Sequence, residues 1–263
     1  MSRMVNVSFS GPLAQLVIQS EDGINALNLD RVLSIQRAVD QVSEKPVTRV
    51  LLIRAEGKAF CVGGDIHYLQ KNNQRLPETL DDLLIPWQQT LVKLSQLPLG
   101  VIVAVDGIVS GGGLGLLLTA DYVLASSRSG FVSGFGQLGL SCDSGISWML
   151  PRLIGSLRAK AVLLDQQFLD AQTACQWGLI NAVVDDKDIN HSAQRKALDM
   201  CAYSQSALRA VKQLLQHSFS NDYVSQLELE RETIKSCAVK PDAKEGLHAF
   251  VSRRSPCFNQ ESK

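Results

Sequence analysis

Two glycine-rich segments carry the residue types that hold a ligand by bare backbone N–H groups. The first is Gly57-Lys58-Ala59-Phe60-Cys61-Val62-Gly63-Gly64-Asp65-Ile66, and the second is Asp106-Gly107-Ile108-Val109-Ser110-Gly111-Gly112-Gly113-Leu114-Gly115. Each follows an apolar run, Val50 to Ile53 and Val101 to Val105. Glycine after a buried strand lets the backbone approach a ligand closely and offer it bare N–H groups. A helix starting at Gly112 or Gly113 would add its positive end to those donors. The second segment is not a dinucleotide fingerprint, because after Gly111 and Gly113 the third glycine would fall on Leu116. It also lacks the lysine of a P-loop, and the chain has no GxSxG elbow. Taken singly, either segment is equally a tight turn; the pair is the more specific signal. His67, His191, His217 and His248 show no metal-ligand spacing, so no metal site is expected.

These segments need a framework, and the hydrophobic pattern supplies one. Leu13 to Ile18 reads as a strand, and Asn28 is a suitable N-cap for a helix with Val32, Ile35, Val39 and Val42 on one face. Val50–Ile53, Val101–Val105 and Tyr122–Ala125 are short continuous apolar runs, as strands covered on both faces require. Between the first two lies a polar segment from Lys71 to Asp82, expected to be mobile, then an amphipathic helix from about Leu83 to Leu97. From Ile146 onward helical spacing dominates, with Trp148, Leu150, Leu153 and Ile154 on one face and Leu208, Val211, Leu214 and Leu215 on another. The expectation is an α/β core over residues 1–200, followed by a helical region over 201–263.

Composition narrows the partners. The 263 residues carry 26 basic and 26 acidic side chains, which excludes a globally basic nucleic-acid binder but leaves room for a local anion site. Six cysteines are scattered without a CxxC pair, and the N-terminus alternates like a strand rather than forming an apolar leader. A cytoplasmic protein is therefore expected, with neither nucleic acid nor membrane as partner. Leu99 to Leu118 is the one stretch apolar enough to raise a membrane question. Asp106 and several glycines inside it fit a buried strand and turn better than a spanning helix.

In order and spacing, several segments resemble the crotonase, or enoyl-CoA hydratase/isomerase, family: GKAFCVGGDI at 57–66, AVDGIVSGGGLG at 104–115, FGQLGLSCDSG at 135–145, WGLINAVV at 177–184 and EGLHAFVSRRSP at 245–256. The resemblance spans essentially the whole chain. It implies an α/β fold, a spiral of strands and helices with a C-terminal helical trimerisation region, acting on acyl-CoA thioesters without a permanently bound cofactor. It also implies a homotrimer or a dimer of trimers. Residue by residue, it places an oxyanion hole at the backbone N–H groups of Gly64 and Gly112. Two such donors stabilise a thioester enolate more than the neutral thioester. For CoA itself it suggests the backbone of Val62, Gly63, Gly64, Asp65 and Ile66. Phe250 and Arg253 would contribute from the last helix, although Arg253 and Arg254 equally suit a solvated helix end. Trp87, Trp148 and Trp177 read as core or interface residues rather than ligand contacts.

The acid/base set departs from the family's hydratases. Their two glutamates fall on Gly115 and Phe135 of this chain, and neither residue moves a proton. A carboxylate remains at Asp143, where several isomerases of the family carry an acidic residue. A single carboxylate beside a stabilised enolate suits a 1,3-proton shift. The other role open to Asp143 is an N-cap for a helix starting at Ser144. The region after Phe131 is similar to the phenylacetate-pathway ring-epoxide isomerases, although Cys142 replaces their proline and Ile146 a glycine of the following turn. A dehalogenase of the same family would need a histidine base before the GGG turn, and no histidine lies between His67 and His191. An enoyl-CoA isomerase using Gly64, Gly112 and Asp143 is therefore favoured. The alternatives are a hydratase or lyase recruiting Glu78, Asp81 or Asp82, and a non-catalytic acyl-CoA thioester binder.

Overall fold

The computed structural model describes residues 4–258; the outer ends of the two expected regions, 1–3 and 259–263, lie outside the described residues. The chain opens with strands β1 (Val5–Ser10) and β2 (Leu13–Gln19), helix α1 (Leu29–Ser43), and strands β3 (Val50–Glu56) and β4 (Ala59–Cys61). Next come α2 (Ile66–Lys71), α3 (Leu76–Gln96), β5 (Gly100–Val105), β6 (Ile108–Ser110), α4 (Gly112–Leu118), β7 (Tyr122–Ser126) and β8 (Gly130–Val132). After these lie α5 (Ile146–Ile154), α6 (Ser156–Leu163), β9 (Leu169–Asp170), α7 (Ala171–Trp177) and β10 (Ala182–Val184). Helices α8 (Ile189–Cys201), α9 (Gln205–His217), α10 (Tyr223–Ala238) and α11 (Pro241–Val251) finish the chain.

The strands form two sheets, in the orders β1-β2-β3-β5-β7-β10 and β4-β6-β8-β9. In the larger sheet β1 runs antiparallel to β2, whereas β2–β3, β5–β7 and β7–β10 are parallel. In the smaller sheet β4–β6 and β6–β8 are parallel and β8–β9 antiparallel. Strands β3 and β5 read as continuous apolar runs because the sheet interior buries both of their faces. The smaller sheet then continues what the larger one starts. Strand β5 passes through Asp106-Gly107 into β6, and β6 ends at the Gly111 turn that starts α4. Asp106 fastens this passage by accepting from the Ser126 hydroxyl at 2.7 Å and from Arg128 at 2.7 and 2.6 Å.

Helix α1 forms as its sequence dictates. The Asn28 side chain accepts from the Arg31 N–H at 3.1 Å, and Val32, Ile35, Val39 and Val42 are buried against the sheet side of the helix. Helix α3 differs from expectation: it starts at Leu76, not near Leu83, so the polar segment expected to be mobile is mostly its first turns. Pro77 sits in the first turn, where its missing N–H costs nothing, and Pro86 lies within the helix. Helix α5 buries Ile146, Leu150 and Ile154, a tighter stripe than expected; Trp148 and Leu153 stay exposed.

Contacts group the chain into two units, residues 4–97 with 101–197, and residues 98–100 with 198–258. Inside the second unit, Gln205 and Lys212 of α9 hold the carbonyl groups of Pro98 and Leu99 at 2.8 and 2.9 Å. The Ser204 hydroxyl donates to Asp242 at the start of α11 at 2.7 Å. No helix among the described residues is long and apolar enough to cross a membrane.

Candidate active site

The two glycine turns meet. Gly63 has φ +83°, and a Cβ on it would stand 3.1 Å from the Gly111 Cα and the Ser110 carbonyl oxygen and 3.3 Å from the Gly112 nitrogen. Only a residue without a side chain allows this approach, in a backbone conformation that other residues resist. The chain then pins Gly64 by its neighbours. Leu27 donates its N–H to Gly63 O at 2.7 Å, and Asp65 N–H donates to Leu27 O at 2.8 Å. In that parallel pairing the residue between the two bonds turns its own N–H and C=O to the opposite side. Gly64 therefore presents its N–H away from Leu27. Gly112 is the first residue of α4, so its N–H is among those a helix leaves without an internal acceptor.

Both glycines line an open cleft of about 630 Å³. Its apolar wall is supplied by Leu27, Val32, Val62, Ile66, Leu69, Leu80, Leu83, Leu84, Phe135, Leu138 and Leu140. Asp143, Ser144, Ser110, Ser133 and Trp87 supply polar groups. Among the described residues lining the cleft, Asp143 is the sole titratable one. Burial pushes its carboxyl pKa above the ordinary value of 3.8, with the hydrogen bond from Ser144 opposing the rise. Asp143 is not a helix cap: α5 starts at Ile146, with Gly145 in the left-handed conformation at its N-cap. The Asp143 side chain instead accepts from the Ser144 hydroxyl at 2.5 Å, and that hydroxyl accepts from the Trp87 indole N–H at 3.0 Å.

Position 115 explains why a second acid is missing. A Cβ on Gly115 would collide with the Ser144 side chain and stand 2.7 Å from the Ser144 carbonyl oxygen. The space in which a side chain at 115 would begin is already filled. At position 135 the phenyl ring of Phe135 lines the cleft.

The other expected site residues separate. Val62 and Ile66 line the cleft, Gly63 lies behind it in the contact between turns, and the Asp65 side chain caps α2 by accepting from the Tyr68 N–H at 3.0 Å. Phe250 and Arg253 belong to the helical unit, where Phe250 is 85% exposed on α11 and Arg253 follows that helix with φ +51°. Arg254, not Arg253, holds an ion pair there, its guanidinium reaching Glu245 at 2.6 and 2.8 Å. Glu78, Asp81 and Asp82 are exposed on α3 and do not line the cleft, and His67 is exposed on α2. Cys61 is fully buried behind Gly113, and burial raises its thiol pKa to about 11, which keeps it protonated and inert at neutral pH.

Sequence reasoning missed Ser144 and read Trp87 as core or interface only. Trp87 is indeed 1% exposed, yet its N–H points at the site. The signal was present in the spacing: Leu80, Leu83, Leu84 and Trp87 follow one another at helical intervals and form the stripe of α3 that walls the cleft. Among the described residues, no group of three or more His, Cys, Asp or Glu is arranged to hold a metal.

Two mixed sheets, a helical C-terminal unit and two glycine turns that meet beside an apolar cleft define the crotonase fold. The solved enoyl-CoA hydratase from Polaromonas sp. JS666 superposes with a TM-score of 0.92 at 29% identity, covering 97% of this chain and 99% of that one. Residues 9–261 match the family described as Enoyl-CoA hydratase/isomerase, and the chain belongs to that family. It is 32% identical over 244 residues to the 1,2-epoxyphenylacetyl-CoA isomerase of Escherichia coli K12, covering 92% of this chain and 93% of the relative. It is 30% identical to a probable enoyl-CoA hydratase of Rhodobacter capsulatus, covering 97% of each chain. The family acts on CoA thioesters without a bound cofactor, and its members split between isomerases and hydratases at this level of identity.

Proposed function

We propose that the protein is an enoyl-CoA isomerase, shifting a proton within an enoyl or ring-epoxide acyl-CoA thioester. The Asp143 carboxylate takes a proton from the carbon next to the thioester carbonyl. The electron pair left behind delocalises onto the carbonyl oxygen, which the N–H groups of Gly64 and Gly112 hold as an oxyanion. The same carboxyl then returns the proton two carbons away, so the thioester leaves with its double bond moved and no other reactant is consumed. The backbone from Val62 to Ile66 would follow the CoA moiety, with Phe250 and Arg253 contributing from the helical unit. That unit would join copies of the chain in a homotrimer or a dimer of trimers, in the cytoplasm.

One observation carries this reading: among the described residues a single titratable side chain lines the cleft, and the place of a second is filled by Ser144 packed on Gly115. Adding water across a double bond needs groups to deprotonate the water and to protonate carbon, whereas a proton shift needs one carboxyl acting twice. The test is to offer the protein 3-enoyl-, 2-enoyl- and ring-epoxide acyl-CoA thioesters, with Asp143→Asn in parallel. Isomerisation lost in Asp143→Asn is the expected result. Hydration that survives the substitution defeats the role given to Asp143, and binding without any turnover leaves a CoA-thioester binder in its place.

A further inference from the structure

Ser144 stands out on three counts that the proposed proton shift does not use. It is a non-glycine residue at φ +56°, a conformation that L side chains resist. It is 6% exposed, and its hydroxyl is held from both sides, by the Trp87 indole at 3.0 Å and by Asp143 at 2.5 Å. It also packs on Gly115 so closely that any side chain there would displace it. Strained residues persist where their surroundings fix them, and they gather at functional sites.

The chemistry of the three groups fixes the direction of the hydrogen bonds. An indole N–H can only donate, so it takes a lone pair of the Ser144 oxygen. The Ser144 hydrogen is then left to point at the carboxylate, which in its ionised form can only accept. A donor that is itself accepting a hydrogen bond is polarised and binds its own acceptor more strongly. We infer that Trp87 and Ser144 are positioning residues: the indole fixes the Ser144 hydroxyl as a donor to Asp143, and this relay holds the carboxylate ionised and oriented toward the cleft. The inference deepens the proposed function, because it rests on Asp143 being the base, but the relay is measurable without turnover.

Among the described residues, no other titratable group lines the cleft beside Asp143. The cleft walls from α1, α2, α3, α4 and the 135–140 segment are apolar or neutral where they face the cleft, and the acidic residues of the first turns of α3 are exposed. Loss of the Ser144 donor therefore leaves burial unopposed, and the carboxyl becomes harder to ionise.

The experiment follows the Asp143 carboxyl by carbon-13 NMR titration of the whole protein, the resonance being assigned by its loss in Asp143→Asn. Ser144→Gly removes the hydroxyl while suiting the left-handed backbone, and Trp87→Phe removes the indole N–H while keeping a ring. The expected result is a midpoint moved upward in Ser144→Gly, a smaller upward move in Trp87→Phe, and no further move when the two are combined. Non-additivity is what a relay through Ser144 demands and what two independent packing defects do not give. In turnover assays the acid limb of the kcat/KM profile should follow the same order, losing about tenfold in rate on that limb for each pH unit of displacement. An unmoved or lowered midpoint in Ser144→Gly, or additive moves in the double variant, overturns the relay. If instead the midpoints move as expected while Asp143→Asn still isomerises its substrate, the relay stands and the assignment of Asp143 as base falls.

Discussion

Asp143 makes the sharpest demands at the scale of single residues. As the base it should be worth about 10²- to 10⁴-fold in turnover, which steady-state assays of Asp143→Asn will measure. Its raised pKa also has a consequence for stability. The folded protein holds the Asp143 proton more tightly than the unfolded chain does, so ionising this carboxyl costs stability as the pH rises through the raised value. That cost is absent below the ordinary carboxylate range and complete above the raised value. Asp143→Asn is therefore expected to melt above the parent near neutral pH, with the difference closing as the pH falls; a lower melting temperature at neutral pH would contradict the burial argument. The close approach of two glycine turns was legible in the sequence, because it demands residues without side chains; Gly64 and Gly112 were marked as the donors only by family resemblance. Asp143 was legible as a candidate only through family resemblance, and its rival role as a helix cap dissolved when α5 proved to start at Ile146. Ser144 and Trp87 lie 57 positions apart, and no periodicity links residues that meet only after the chain has folded.

At the scale of elements, the glycine turns act as spacers between strands and helices. Gly63→Ala should cost about 1–2 kcal/mol for the left-handed backbone alone. It should also push the first turn away from Gly111 and Gly112, misplacing a proposed oxyanion donor, and loss of such a donor costs about 10²- to 10³-fold in kcat. The check is a turnover assay on protein whose circular dichroism is unchanged. Gly115→Ala acts on the other side of α4 by overpacking it against Ser144, for about 1–3 kcal/mol in a denaturant titration. Elements with strong periodicity were read correctly: α1 with its Asn28 cap, and the apolar runs of β3, β5 and β7. The expected start of α3 near Leu83 falls about two turns late because Leu76 to Asp82 is largely polar and proline-bearing, with Glu78, Asp81 and Asp82 exposed, Thr79 buried and Leu80 on the cleft wall.

At the scale of the molecule, the switch from strand-like runs to helical patterns was enough to indicate an α/β chain with a helical end. The sequence pattern could not say which strands neighbour one another, because β5 reaches across to β7 and β7 to β10 through long connections. The helical unit leaves Ile234, Leu247, Phe250 and Val251 exposed on α10 and α11. The proposed oligomer would cover apolar surface of this kind, so sedimentation velocity is expected to give three or six times the 28.7 kDa chain mass, reduced in Phe250→Glu. A monomer in both cases would remove the oligomer from the proposal. Finally, the packing of Ser144 on Gly115 bears on how one chemistry could be turned into another. A glutamate introduced at position 115 alone meets an occupied space, and clearing Ser144 alone strips the carboxylate of its donor while adding no acid. Each single step is a loss, so the route to a two-glutamate hydratase needs coordinated changes at 115, 135 and the 143–145 turn. On the proposed reading, one serine and one glycine hold the cleft to a single carboxyl.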